Sequence, residues 1–279
     1  MRLQQVLSYV RKAVDDYHMI EEGDKIAVGI SGGKDSLTLL YALHALRRFY
    51  PKHFDIHAVT VDLGFGNLDL SRIEAICSQE LQIPYTIVKT DIANIIFEQR
   101  KESNPCSLCA KMRKGALNEA IKKEGCNKVA YAHHKDDVVE TMLMSLIYEG
   151  RFHTFSPVTY LDRMDLTVIR PLMYMNEADV IGFVNKNQVP VVKSPCPADG
   201  YTKREYVKQL LKKLNRESGI SMLFISHNLN VVRKLCSHVA VMEKGHIVET
   251  GETAQVFYDP QADYTKRLIA AIPTRKKLC

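Results

Sequence analysis

The chain has 279 residues, 46% of them apolar and 25% charged, with a formal net charge of +6, the profile of a globular protein with one large or two small domains. No apolar run approaches the roughly 18 residues of a membrane span, and Met1–Gln5 opens no signal-peptide core. A cytoplasmic protein is therefore expected, with its seven cysteines serving as thiols or metal ligands rather than disulfides.

In chain order, Met1 to about Ile20 reads as an amphipathic helix with Val6, Tyr9, Val10, Ala13, Val14 and Tyr17 on one side. Residues 25–30 form a short apolar strand and 37–48 a helix. A strand over 55–62 leads to a helix over 70–80, and a strand over 84–89 to a helix near 91–98. After a segment holding Pro105 and two cysteines come a helix over 112–124, a strand over 128–132, a helix over 136–148 and a strand over 167–169. Strands alternating with helices predict an α/β fold, a Rossmann-like, mostly parallel sheet covered on both faces. Ligands on such sheets sit at the carboxyl ends of strands. The loop after Ile30, Asp62 and the segment after Ala132 all fall there.

Residues 201–216 read as a basic amphipathic helix, with six Lys or Arg against one Glu. Val207, Leu210, Leu211 and Leu214 make its apolar stripe, and Thr202 with Glu205 makes a capping box. The basic face, including Lys203 and Arg204, suits nucleic-acid phosphates, and suits bare solvent equally well.

Three clusters carry chemistry. Ser31-Gly32-Gly33-Lys34-Asp35-Ser36 turns from a strand into a helix, aiming backbone N–H groups and the positive helix end at an anion. It is not a Walker A loop: Gly29 is one residue too close to the Gly-Lys pair, and Asp35 stands where Ser or Thr belongs. Second, Ala132-His133-His134-Lys135-Asp136-Asp137 follows a strand and starts a helix. Its carboxylates can hold Mg²⁺ and His133 can reach a phosphate or adenylate, whereas a plain helix cap needs one Asp only. Asp62, ending its strand, suits a nucleotide's ribose or adenine edge, or a simple turn before Gly64.

The third cluster is Cys106-Ser107-Leu108-Cys109, with Cys196 far downstream between two prolines. A C-x-x-C pair alone fits a redox dithiol, half a zinc site or half an iron–sulfur site. The preceding extended segment disfavours a thioredoxin-type dithiol, and no other Cys or His lies in 190–203 to complete zinc. Three thiolates with one open position suit a 4Fe-4S cluster. Cys77 and Cys126 read as core thiols.

The Ser31–Ser36 loop resembles the PP-loop of the ATP pyrophosphatases, and the His133–Asp137 run resembles the His-His-x-Asp-Asp pattern of PP-loop enzymes that modify tRNA. With Cys106, Cys109 and Cys196, and with Ile169-Arg170-Pro171-Leu172, residues 1–216 resemble the tRNA 2-thiocytidine synthetase family. The resemblance implies an adenine nucleotide α-hydrolase fold over 1–200, ATP, Mg²⁺, a 4Fe-4S cluster on the three cysteines, and tRNA as partner. It also implies a sulfur donor such as a cysteine desulfurase or sulfide, and allows a homodimer. By the same resemblance Ser31, Gly32, Gly33, Lys34, Asp35, Ser36, Asp62, His133, Asp136 and Asp137 bind ATP, with Lys34, Asp35 and Asp137 catalytic. Arg170, Lys203 and Arg204 are candidate substrate or phosphate contacts; an exposed structural arginine is the rival reading of Arg170. An anticodon-loop cytidine would attack the α-phosphorus of ATP, and sulfur would then replace AMP. A thiouridine synthetase could use the same thiolates, a lysidine-type ligase would have no need of them, and a non-catalytic nucleotide-binding fusion is the rival from another class.

Residues 217–276 resemble instead the end of an oligopeptide-importer ABC ATPase, through Leu223–Leu229, Val239–Met242, Gly245–Glu249 and Asp259-Pro260-Gln261, within a domain expected over 217–279. His227 matches that family's switch histidine, with Asn228 where the family has Asp. No Walker A, signature sequence or Walker B carboxylate accompanies it. A small α+β fusion fragment without ATPase activity is expected.

Overall fold

Ile26, Ala27 and Val28 are fully buried, because their strand (β1, Asp24–Gly29) has parallel neighbours on both sides and helices on both faces. In this computed structural model every residue is described except 67, 101–104, 193–194, 198–199, 201, 219–228, 230–231, 234–235 and 272–279. The chain divides into Met1–Leu210 and Leu211–Cys279.

In the first unit α1 (Leu3–Asp16) precedes β1, α2 (Lys34–Arg47) follows it, and β2 (Phe54–Asp62), α3 (Ser71–Ala75) and β3 (Tyr85–Lys89) come next. Then follow α4 (Pro105–Lys123), β4 (Lys128–Ala130), α5 (Lys135–Glu149), β5 (Val158–Leu161), β6 (Leu166–Ile169) and α6 (Glu177–Asn187); α7 (Lys203–Ser218) begins in this unit and runs past its end at Leu210. The sheet order is β3-β2-β1-β4-β6-β5, parallel throughout except for β5, which pairs antiparallel with β6 at the edge. The chain runs outward from β1 to β3 and then returns to lay β4 on the other side of β1. The carboxyl ends of β1 and β4 thus form the topological switch point, where open α/β sheets bind ligands.

One face of the sheet packs on α1, α2 and α6 through Val6, Val10, Leu39, Leu43, Val180 and Phe183. The other packs on α4 through Ala27, Val59, Leu117, Ile121 and Val129. The expected stripe of α1 buries Val6, Val10, Ala13 and Val14, while Tyr9 stays exposed. Cys77 and Cys126 are buried.

Several elements differ from the reading of the sequence. The helix over 70–80 is α only to Ala75 and widens to π geometry over Ile76–Glu80. That wider turn brings Ile76, Cys77 and Leu81 together into the core. Asn94–Gln99 is likewise π-helical. The helix expected from 112 begins at Pro105, since proline's missing N–H costs nothing in a first turn. The strand from 128 ends at Ala130, and neither β5 nor α6 was anticipated. The basic helix is present as α7: Val207 is fully buried, and Thr202 Oγ1 accepts the Glu205 N–H at 3.1 Å. The side chain of Leu214 lies outside the described residues.

The second unit holds an antiparallel hairpin of β7 (His238–Glu243) and β8 (His246–Glu252), followed by α8 (Thr253–Tyr258) and α9 (Asp263–Ala270). Lys244 and Gly245 both have positive φ, the requirement of a tight two-residue hairpin turn. His227 and Asn228, the proposed switch position, lie outside the described residues. Among the described residues no helix is long and apolar enough to cross a membrane.

Candidate active site

At the end of β1 the chain turns through Ile30 and Ser31 into α2, with Gly33 as the N-cap. The loop closes on its own hydroxyls. Ser36 Oγ donates to the Gly33 carbonyl at 3.0 Å and accepts the Ser31 N–H at 3.2 Å, and Ser31 Oγ accepts the Gly33 N–H at 3.3 Å. Gly32 has φ +80°, and a Cβ there would fall 2.9 Å from that of Val192. The Gly32 carbonyl accepts the Val192 N–H at 2.9 Å, so Val192, four residues before Cys196 in the sequence, rests directly on this loop. The first N–H groups of α2 have no partner within the helix, which leaves donors and the positive dipole end for an anion.

Lys34 opens α2. Its Nζ donates to Asp35 Oδ2 at 3.0 Å and lies 3.2 Å from Glu177 Oε1. Burial disfavours the ammonium, but Asp35 and Glu177 outweigh burial and hold its pKa above the usual lysine value. From the neighbouring β4, His134 ends the loop and Lys135 starts α5. Asp137 Oδ2 accepts the His134 N–H at 2.9 Å, the local bond that caps this helix. Asp136 Oδ2 accepts the Glu177 N–H at 2.6 Å. The buried His134 ring ties the two loops together, with Nε2 3.6 Å from Asp35 Oδ1 and Nδ1 3.4 Å from Asp137 Oδ2.

Asp35, Lys34, Asp136 and Asp137 therefore converge at the switch point, as their places at adjacent strand ends imply. Asp35 Oδ1 is buried without a hydrogen-bond partner. An orphan carboxylate oxygen beside a phosphate-type loop fits a divalent cation, whose preferred ligands are such oxygens.

Other predicted residues sit differently. Asp62 Oδ1 accepts the Gly64 N–H at 3.0 Å, the turn geometry of a carboxylate bonding two residues ahead. The His133 ring packs on Phe155 at 4.6 Å, and burial pushes its pKa down to about 4, so it is neutral at physiological pH. Arg170 is buried rather than exposed. Its Nη1 donates to the Ser156 carbonyl at 2.6 Å, its guanidinium lies 4.8 Å from the Phe155 ring, and its Nε has no partner. Arg204 reaches the start of α5, donating to Glu140 Oε2 at 3.2 Å and Thr141 Oγ1 at 2.9 Å, with Asp137 Oδ1 at 3.4 Å. Lys203 is exposed beside the Tyr148 ring. Sequence reasoning missed Glu177, which pairs with both Lys34 and Lys208. Asn176 before Glu177, with Val180, Phe183 and Val184 following, was the available signal for its helix.

Cys106 and Cys109 lie one turn apart in the first turns of α4. The segment before the pair, 101–104, lies outside the described residues. The electrostatics of the pair add a second objection to a redox dithiol. Burial pushes the Cys109 thiol up, Arg113 opposes, and the nearby Cys196 and Cys106 raise it further, whereas a redox nucleophile needs a lowered pKa. Cys109 thus has both other thiols within electrostatic range. Among the described residues no three His, Cys, Asp or Glu side chains are placed to hold a metal ion. Tetrahedral zinc at about 2.3 Å would draw its sulfurs to about 3.8 Å from one another. Three thiols sharing one electrostatic neighbourhood, two of them a helical turn apart, are the donor set of an iron–sulfur cluster.

Comparison with known proteins agrees with this geometry. A PP-loop domain model matches residues 3–215. The tRNA-cytidine(32) 2-sulfurtransferase of Geobacter metallireducens is 38% identical over 251 residues, 89% of this chain and 93% of that protein. Its counterpart in Geobacter sulfurreducens is 39% identical over 223 residues, 78% of this chain and 86% of that protein. Among solved structures, the U34-tRNA thiolase NcsA from Methanococcus maripaludis, determined with its 4Fe-4S cluster, superposes with a TM-score of 0.62 at 27% identity, covering 77% of this chain and 73% of that one. With a PP-loop at its switch point and such relatives along most of its length, the chain belongs to the PP-loop family and, within it, to the tRNA-cytidine(32) 2-sulfurtransferases.

Proposed function

We propose that this chain uses ATP to activate a cytidine of the tRNA anticodon loop, at position 32 as in its named relatives, and replaces the base's C2 oxygen with sulfur. The observation that carries the reading is the pairing of a phosphate-type loop with a three-thiol site, joined through the Val192–Gly32 bond.

Lys34 and the N–H groups at the start of α2 hold the pyrophosphate as it leaves. Asp35, Asp136 and Asp137 would hold Mg²⁺, which would draw charge from the phosphoryl oxygens. Ser31 and Ser36 keep the loop in shape, Asp62 stands near the nucleoside end, and neutral His133 can offer a hydrogen bond but no positive charge. Cys106, Cys109 and Cys196 would hold a 4Fe-4S cluster, which would supply an open iron site for the incoming sulfur. The chain's own task there is to set three thiols around one opening. Attack by the base oxygen on the α-phosphorus turns that oxygen into part of a good leaving group, AMP. Chemistry on a base needs it unstacked, which a single-stranded loop allows at little cost. Lys203 and Arg204 are offered to the RNA phosphates, Arg170 acts from within by holding the Ser156 carbonyl and the Phe155 ring, and the sulfur arrives as sulfide or from a cysteine desulfurase. A tRNA substrate places the work in the cytoplasm. Residues 217–279 add no ATPase activity, for the sequence holds no Walker A loop to serve them.

The test is mass spectrometry of tRNA nucleosides from cells lacking their own 2-thiocytidine activity. Expressing this chain should restore 2-thiocytidine. A new 2-thiouridine instead would favour the uridine thiolases, and a lysidine signal would reject thiolation.

A further inference from the structure

Glu177 stands where three parts of the first unit meet. Its N–H donates to Asp136 on α5, and its Oε1 lies 3.2 Å from Lys34 Nζ on α2 and 2.6 Å from Lys208 Nζ on α7. The carboxylate is largely buried, with 17% of the side chain exposed. Burial pushes its pKa up, but the two ammonium groups overcome that and bring it down to about 2. Glu177 is therefore charged at every working pH.

That charge is a problem for the reading of Lys34 as a phosphate ligand, on which this inference rests. A carboxylate within 3.2 Å of the same ammonium competes with ATP for it, and repels the polyphosphate once the ammonium has turned away. The second ammonium, Lys208, answers the problem. It lies closer to Glu177 than Lys34 does, and it belongs to the helix that Arg204 fastens to Glu140 and Thr141.

We propose that Glu177 and Lys208 are positioning residues that form an exchange pair for Lys34. Without nucleotide, Glu177 and Asp35 together hold the Lys34 ammonium at the positive end of α2, where the helix dipole opposes it. When the triphosphate arrives, Lys34 turns to it and Glu177 stays neutralised by Lys208. Nucleotide affinity thereby depends on the seating of the basic helix, although Lys208 itself touches no nucleotide.

The test measures MgATP binding to the full chain by equilibrium dialysis, with the nucleotide-free melting temperature recorded alongside. Lys208→Met should raise the Kd about tenfold, a change of about 1.4 kcal/mol, while Lys208→Arg keeps the wild-type value. Adding Glu177→Gln to Lys208→Met should bring the Kd back to within about threefold of wild type, the non-additivity expected of a coupled pair. Glu177→Gln alone should bind MgATP as tightly as wild type or more tightly. A Lys208→Met protein that melts earlier but binds MgATP normally overturns the proposal, because the ion pair is then only structural. So does a double variant no better than Lys208→Met, or a Glu177→Gln chain weakened tenfold. Failure of the wild-type chain to bind MgATP at all rejects instead the functional reading beneath.

Discussion

Lys34 carries more of this account than any other side chain. It is held between two carboxylates, and its charge is favoured despite burial. Lys34→Ala should lower AMP release from ATP by about 100-fold or more, the scale of losing one preorganised charge contact in a transition state; a radiolabelled-ATP assay reads this directly. Gly32 makes a separate demand. Its φ of +80° and the 2.9 Å approach to Val192 leave no place for a methyl group. Gly32→Ala should destabilise the chain by about 1–3 kcal/mol and weaken MgATP binding, as urea unfolding and dialysis would show. The Ser-Gly-Gly-Lys run was legible in the sequence because each residue type there has a local reason. The partnership of Lys34 with Glu177 was not, since it joins residues far apart in the chain through a helix whose signal was overlooked.

At the scale of elements, α4 decides the cysteine chemistry. Pro105 starts the helix and so places Cys106 and Cys109 on one face. Protein purified without oxygen should be brown with a broad visible shoulder, and Cys109→Ala should lose that absorbance along with its iron. The sheet itself makes a different prediction. His57 on β2 is buried, its Nε2 bonds Thr86 Oγ1 on β3 at 2.9 Å, and Thr86 donates to Glu124. Burial lowers the His57 pKa, with Glu124 opposing. The unfolded chain therefore takes up the proton first, near pH 6.5. Stability from this group is full above that pH and declines as the pH falls through the lower folded-state value. Urea midpoints should drop from pH 7.5 to 5.5, and His57→Gln should flatten the slope. Most strands and helices were legible in the apolar periodicity. The π turns were not, because Ile76, Cys77 and Leu81 fit a 3.6-residue rhythm equally well, and only packing selects the wider turn. Nor was β5, whose residues stay partly exposed on an edge strand and so carry little apolar signal.

At the scale of the molecule, the described residues of the proposed site all lie within Met1–Leu210. A chain ending at Ser218 should keep the MgATP affinity of the full chain, and a loss of more than about tenfold, 1.4 kcal/mol, would show that the second unit takes part. The family as a whole was legible from three short motifs in the right order, because each names a chemical task that its neighbours require. Their meeting in space was a wager on strand ends, and the order β2-β1-β4 supplies the physical reason it could be made. The decisive measurement couples the two halves of the proposed reaction. Cluster-loaded protein is given tRNA, ATP and sulfide in a single turnover, and AMP and 2-thiocytidine are counted together. One AMP per thiolated base is the predicted result; AMP formed in full with no sulfur entering the tRNA would contradict it.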